Sequence, residues 1–160
     1  MRIISGKAKG KKIHIPENNK TRPLKDMVRE SIFNILEHSN LLNIKFSQSI
    51  VLDLFSGVGS FGLEAISRGA KKVLFFENYK PALNMLTKNI DALSFNQDVE
   101  INIKDIYDEK TFLKLNYKFD LVFIDPPFKD EKIEIILKNL ENYKKLTKKT
   151  LLIIHRHKKT

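Results

Sequence analysis

Ile50-Val51-Leu52-Asp53-Leu54-Phe55-Ser56-Gly57-Val58-Gly59-Ser60-Phe61-Gly62 is the stretch on which the fold turns. Residues 50–55 form a short apolar run broken by one aspartate, the length and composition of a buried strand. Glycines 57, 59 and 62 follow in G-x-G-x-x-G spacing, and residues 60–68 read as a helix that Gly69 stops. Glycine lets such a loop turn tightly and lets a ligand approach the backbone. The rhythm repeats downstream. Residues 73–76 form a second strand ending at Glu77, and 81–93 a helix with Leu83, Leu86, Ile90 and Leu93 on one face. Further strands are expected at 99–103, 121–124 and 151–154, with a helix at 132–143. Strands alternating with helices predict an α/β fold of Rossmann-like type, a mostly parallel sheet with helices on both faces. Ligands of such sheets bind beyond the carboxyl ends of the strands, so the residues just past each strand are the candidates for chemistry.

Glu77 lies 20 residues past Gly57 at the end of the second strand. A carboxylate there can accept hydrogen bonds from both hydroxyls of a ribose, so the ligand class is an adenosine-containing nucleotide. Asp53 narrows it. A carboxylate inside an apolar strand is costly without a partner. It suits a ligand with a cationic end, such as the sulfonium and ammonium of S-adenosylmethionine, or it caps nearby backbone N–H groups. Asp105, with Ile106 after it, follows the third strand and is placed either to meet an adenine amino group or to cap a turn.

Asp125-Pro126-Pro127-Phe128 follows the fourth strand. Two prolines fix the backbone and remove two N–H donors. Acceptors remain, the Asp125 carboxylate and the Pro126 carbonyl, with an aromatic ring at Phe128. That set suits a planar amine held by its two hydrogens while its ring stacks on Phe128. Rate would come from alignment and electrostatics, with no metal. The histidines show no metal-ligand pattern; His155 and His157, beside Arg156, Lys158 and Lys159, read as a solvated basic tail.

The chain has 160 residues, no cysteine and a formal net charge of +10. Residues 1–29 hold nine Lys/Arg and two acids, so +7 of that charge is N-terminal. Such a bias fits a polyanion-binding segment. One domain is expected, divided into a basic segment at 1–23, a helix and linker at 24–48, and a catalytic sheet at 49–160. Residues 1–16 alternate loosely and read as a hairpin or extended arm, removable without disturbing cofactor binding. The helix after Pro23 is expected to turn Val28, Ile32, Ile35 and Leu36 inward. No apolar run is long enough to span a bilayer, so no membrane partner is expected, and the lack of cysteine fits the cytoplasm.

Three stretches resemble the RsmD family, the bacterial 16S rRNA (guanine-N2)-methyltransferases of class I Rossmann-type fold. They are Met1–Lys7 with Gly10-Lys11-Lys12, then Thr21-Arg22-Pro23 with Val28-Arg29-Glu30 and Phe33–Leu36, then Leu52–Gly57 through Gly62–Ala65 and Ser67–Ala70. Asp125–Phe128 completes the set. The resemblance implies that Asp53, Ser56, Gly57 and Gly59 lie along the methionine part of S-adenosylmethionine. It implies Glu77 for the ribose, Asp105 and Ile106 for the adenine, and Asp125, Pro126 and Phe128 for the target base. Arg2, Lys7, Lys9, Lys11 and Lys12 would face RNA, and Arg22 and Arg29 the RNA or the cofactor cleft, with 16S rRNA in a small subunit or assembly intermediate as partner of a monomer. The chain departs from the family pattern at Leu24 and at His155, where the fifth strand usually ends in Glu. Family members also continue past the point matching Thr160 into an antiparallel strand pair, so either that tail lies outside this sequence or the sheet edge is shortened. Three rivals share parts of this set. A nicotinamide-binding oxidoreductase shares the glycine loop but gives Asp125–Phe128 no role. A non-catalytic RNA-binding domain needs only the basic segment. An N6-adenine methyltransferase acting on DNA or RNA shares the chemistry.

Overall fold

The structure, a computed structural model, describes residues 1–17, 23–42 and 44–156. Its elements run α1 (Asp26–His38), a 3-10 turn (Phe46–Gln48), β1 (Ile50–Leu54), α2 (Ser60–Ser67), β2 (Lys72–Phe76), α3 (Lys80–Leu93), β3 (Val99–Asn102), α4 (Glu109–Leu113), β4 (Leu121–Ile124), α5 (Ile133–Asn142) and β5 (Leu151–Ile154). The five strands form one all-parallel sheet in the order β3-β2-β1-β4-β5. Each inner strand is buried on both faces, which is why its sequence is a continuous apolar run rather than an alternation. Val51, Val73, Phe75, Leu121 and Phe123 pack on one face with Phe33, Phe61 and Leu86 from α1, α2 and α3. Leu52, Leu54, Phe76, Val122 and Ile124 pack on the other with Phe112 and Ile136 from α4 and α5. The order reverses direction at β1, so the crevice for a ligand opens above β1 and β4. No helix among the described residues is long and apolar enough to cross a membrane.

β4 and β5 lie where the sequence places them, and β1 ends one residue sooner because Phe55 turns to φ +58°. Two short elements escape sequence reading, the 3-10 turn and α4, the latter capped by the Asp108 side chain on Lys110 N–H. The face of α1 is also rotated from expectation. Phe33 and Leu36 are buried with Arg29, while Ile35 is 58% exposed. Phe33 stacks on Phe61 at 4.9 Å, and that long-range contact sets the rotation.

The N-terminal segment is a short hairpin, as expected, with Ile3 N–H on the Lys11 carbonyl and Ile13 N–H on the Met1 carbonyl, each at 2.9 Å, but it is docked on the core rather than a free arm. A single antiparallel bridge joins Arg2 and Lys12, and Ile3, Ala8 and Ile13 are core residues. Gly6, at φ +83°, lies against the C-terminal end of α2, where a Cβ would fall 1.9 Å from the Ser67 carbonyl oxygen. Lys7 N–H donates to that carbonyl at 2.7 Å and Ala8 N–H to Ser67 Oγ at 3.0 Å. Residues 5–8 thus cap a helix end that would otherwise leave carbonyls unpaired. Deleting residues 1–12 would therefore open the core, not merely subtract charge.

Candidate active site

The carboxyl ends of β1, β2, β4 and β5 surround a cleft of about 640 Å³, within the range of small-ligand sites. Asp53, Glu77 and Asp125 line it, with Ser56, Gly57 and Val58 of the glycine loop, Pro126, Phe128 and His155. Apolar side chains from Leu24, Val28, Ala82 and Phe123 complete the walls.

Asp53 is 1% exposed, and its Oδ2 accepts from Gly62 N–H at 3.0 Å, inside the first turn of α2. Burial raises its carboxyl well above the ordinary range; that hydrogen bond opposes the rise, and the charges of Asp125 and Glu77 add to it. Glu77 is held by two backbone donors, Gly57 N–H on Oε2 and Tyr79 N–H on Oε1, each at 2.7 Å. It thereby ties the glycine loop to the start of α3. Burial raises its carboxyl too, against those backbone bonds. Each carboxylate oxygen can accept a second hydrogen bond from a ligand. Ser56 Oγ donates to the Phe76 carbonyl at 2.9 Å, so the serine fastens the loop to β2 from within the cleft wall.

The three glycines differ in purpose. Gly57 takes φ +55°, and an added Cβ would meet nothing within 4 Å, so the loop is open on that side. A Cβ on Gly59 or Gly62 would collide with Leu86 at 2.4 Å or the Phe75 ring at 2.3 Å. Those two serve the packing of α2 and α3 on the sheet. Asp105 and Ile106 lie in an adjoining niche of about 80 Å³ that shares Phe55, Glu77 and Asn78 with the cleft. Asp105 Oδ1 accepts from Tyr107 N–H at 2.9 Å, and its carbonyl accepts from Thr111 Oγ1 at 2.7 Å. It caps a turn and stands at the niche at once.

Beyond β4, Asp125-Pro126-Pro127-Phe128 forms the opposite wall. Asp130 N–H closes a turn on the Pro127 carbonyl at 2.8 Å. Asp130 in turn receives the Tyr107 hydroxyl, and burial followed by that contact raises the Tyr107 pKa well above its ordinary value. The residues after β5, expected as a solvated basic tail, are partly built into this wall. His155 Nδ1 lies 2.8 Å from Asp125 Oδ1, and Arg156 Nη2 donates to the Asp130 carbonyl at 2.9 Å. Their signal in the sequence was their place just past a strand. His157 lies outside the described residues.

The basic residues separate into distinct groups. Arg2, Lys9, Lys11 and Lys12 are exposed on the docked N-terminal segment. Lys7 is exposed but engaged, 3.2 Å from Asp98 and 4.8 Å from the centre of the Phe95 ring. Arg22 lies outside the described residues. Arg29 corrects the sequence expectation: it is fully buried, donating to the Arg2 carbonyl and to Asp26, with its Nε 3.8 Å from Glu64. A guanidinium sealed between α1 and α2 cannot meet RNA. Sequence reasoning also missed Asn89, a buried residue of α3. Its side chain exchanges hydrogen bonds with the backbone of His14 and donates to the Val58 carbonyl. It joins the basic segment to the glycine loop.

A family model described as Conserved hypothetical protein 95 matches residues 1–160. Ribosomal RNA small subunit methyltransferase D of Haemophilus influenzae is 41% identical over 133 residues, covering 80% of this chain and 64% of that protein. The chain belongs to the RsmD family. Ribosomal RNA small subunit methyltransferase D of Escherichia coli is 30% identical over 155 residues, covering 96% of this chain and 73% of that protein. An Escherichia coli structure provisionally assigned as a methyltransferase superposes with a TM-score of 0.78 at 27% identity, covering 96% of this chain and 78% of that one. Class I methyltransferase architecture therefore accompanies the RsmD-family site.

Proposed function

We propose that this protein transfers the methyl group of S-adenosylmethionine to the exocyclic N2 of a guanine in 16S rRNA, releasing S-adenosylhomocysteine and one proton of the amine. The observation that carries the proposal is one cleft holding both halves of the chemistry, Asp53, Glu77 and the glycine loop on one side and Asp125–Phe128 on the other.

The residues present fit the cofactor. Three carboxylates share the cleft, and each of the others disfavours ionisation of Asp53. A cationic ligand relieves that repulsion, whereas an anionic dinucleotide would add to it. Asp53, Ser56 and Gly57 would hold the methionine part, Glu77 the ribose, and the niche beside Asp105 and Ile106 the adenine, with Gly59 left to the packing of α2 and α3. When bound, S-adenosylmethionine supplies an electrophilic methyl carbon. Asp125 and the Pro126 carbonyl accept the two hydrogens of the target amine, and Phe128 stacks on its ring. An amine bound that way presents its lone pair away from the base plane, and alignment lowers the barrier. A nicotinamide oxidoreductase would leave the Asp125–Phe128 wall without a task.

Guanine N2, adenine N6 and cytosine N4 all satisfy those acceptors. The choice of guanine in small-subunit RNA is supported by the family and by the names of its members. The basic side chains of the docked segment, Arg2, Lys9, Lys11 and Lys12, are suited to phosphates, which give affinity and little sequence reading. Selectivity then comes from substrate shape, with the base flipped into the cleft from a folded ribonucleoprotein. In this reading the protein acts as a monomer in the cytoplasm. Labelled methyl transfer to small subunits and to deproteinised 16S rRNA, followed by nucleoside analysis, tests it. N2-methylguanosine, formed faster on the subunit, is expected. N6-methyladenosine would overturn the base, and equal rates on short unstructured RNA would overturn the ribonucleoprotein.

A further inference from the structure

We infer that His155 is a positioning residue for methyl transfer, holding the Asp125 carboxylate in the orientation that receives the target amine. The inference rests on the methyltransferase reading of the cleft. β4 and β5 are parallel and in register at Ile124 and Ile154, and His155 N–H donates to the Ile124 carbonyl at 2.9 Å. Residues 125 and 155 therefore leave adjacent strands side by side at the cleft wall. The imidazole Nδ1 reaches Asp125 Oδ1 at 2.8 Å, with both side chains partly shielded, 31% and 20% exposed.

Two physical consequences follow. The last torsion of an aspartate side chain is broad, so each hydrogen bond to the carboxylate narrows the planes it samples. A hydrogen bond from Nδ1–H fixes the plane of Asp125, and with it the direction in which the carboxylate meets an amine. The same bond sets an imidazole against one of the three carboxylates that share the cleft. The donor is itself anchored. His155 sits on a strand end, and Arg156 next to it braces the far end of the same loop through the Asp130 carbonyl. The whole Asp125–Asp130 turn is thus clasped from β5. An acceptor oriented by a third group recurs wherever a polar side chain must meet a reacting atom with fixed geometry.

Asn and Ala substitutions separate orientation from bulk. The Nδ2 of an asparagine falls near the position of histidine Nδ1, so His155→Asn keeps a donor to Asp125, and His155→Ala removes it. In His155→Ala, kcat on small subunits should fall about 10- to 100-fold, the range for losing a supporting hydrogen bond. S-adenosylhomocysteine affinity by calorimetry and the circular dichroism spectrum should not change. His155→Asn should recover most of the lost rate. Nitrogen-15 NMR gives a readout without turnover: His155 should carry its proton on Nδ1 in the wild type and lose that preference in Asp125→Ala. Wild-type kcat in His155→Ala, equal impairment in the Asn and Ala variants, or an unchanged tautomer in Asp125→Ala would each overturn the assignment. Were the wild-type protein to transfer no methyl group at all, the functional reading would fall, and the tautomer would still decide whether His155 orients Asp125.

Discussion

Asp53 and Glu64 are both buried carboxylates, 1% and 0% exposed, at the inner ends of the same βα unit. Their surroundings are opposite. Glu64 accepts from Ile4 N–H at 2.8 Å, Ser5 N–H at 2.9 Å and Arg68 Nε at 2.8 Å, and faces Arg29 at 3.8 Å. Asp53 accepts from Gly62 N–H and faces two further carboxylates across the cleft. A buried charge is tolerable when paired and costly when not. Glu64 is answered by the protein itself, knitting α1, α2 and the N-terminal segment together. In the proposed reading Asp53 is answered in full only when the cationic cofactor arrives. The pair shows how burial alone fails to separate structural from functional carboxylates; the donors around them do.

The largest effect should come from the satisfied site. Glu64→Ala removes the buried carboxylate between Arg29 and Arg68, leaving them only Asp26 and Glu37 at its margin, and strips acceptors from two backbone N–H groups. Burial already lowers the Arg29 pKa, with Glu64 and Asp26 opposing. A loss of about 3–5 kcal/mol in unfolding free energy is expected by urea denaturation. A loss under about 1 kcal/mol would mean that the network adds nothing beyond packing.

Next comes Asp125, which separates chemistry from binding. Asp125→Ala should lower methyl transfer by about 100-fold or more, on the order of 2.7 kcal/mol in barrier, with S-adenosylhomocysteine binding nearly intact. Near-normal turnover would remove the acceptor mechanism.

Asp53→Asn tests the unsatisfied site directly. The folded-state pKa of Asp53 is raised, so the folded protein keeps this proton to higher pH than the unfolded chain does. The ionised form therefore reduces stability above the folded pKa, and the penalty fades as pH falls through it. The ligand-free variant should melt above the wild type at neutral pH, with the gap closing on acidification. Its affinity for S-adenosylmethionine should weaken by about 1.5–3 kcal/mol, and Glu77→Ala should lose a similar amount. A variant that melts no higher at neutral pH would place Asp53 with Glu64 among the structural carboxylates.

The same contrast explains what the sequence could tell. The sheet was legible because β1, β2 and β4 are buried on both faces and read as apolar runs. That Asp53, Glu77 and Asp125 meet in one cleft was legible because all three sit at strand ends of one parallel sheet. The partners of Glu64 were not, since Ile4 and Ser5 are about 60 positions away and meet it only after the N-terminal segment docks on α2. Arg29 carried the same charge as a surface arginine, and its burial rests partly on partners distant in sequence, the Arg2 carbonyl and Glu64. His155 depends on the register of β5 against β4, which composition does not reveal. Asp105 was ambiguous between cap and ligand contact, and the structure gives it the cap while leaving it beside the niche.

The smallest effect should come from the outer side of the segment that Glu64 anchors. Ile4 and Ser5 face inward to Glu64, and Ile3, Ala8 and Ile13 fill the core, while Lys9, Lys11 and Lys12 project outward. Charge and anchoring are thus carried by different residues of one segment, and substitution can separate them where deletion cannot. Lys9→Glu with Lys11→Glu should leave the unfolding midpoint within about 0.5 kcal/mol of wild type, as expected for exposed positions. Cofactor affinity should hold as well, since neither residue lines the cleft. RNA affinity should fall, and the slope of log K against log salt should flatten by about 0.7–0.9 for each phosphate no longer neutralised. Titration of small subunits at several salt concentrations measures it. A full salt slope in that double variant would make these lysines a solvated surface and move RNA binding elsewhere.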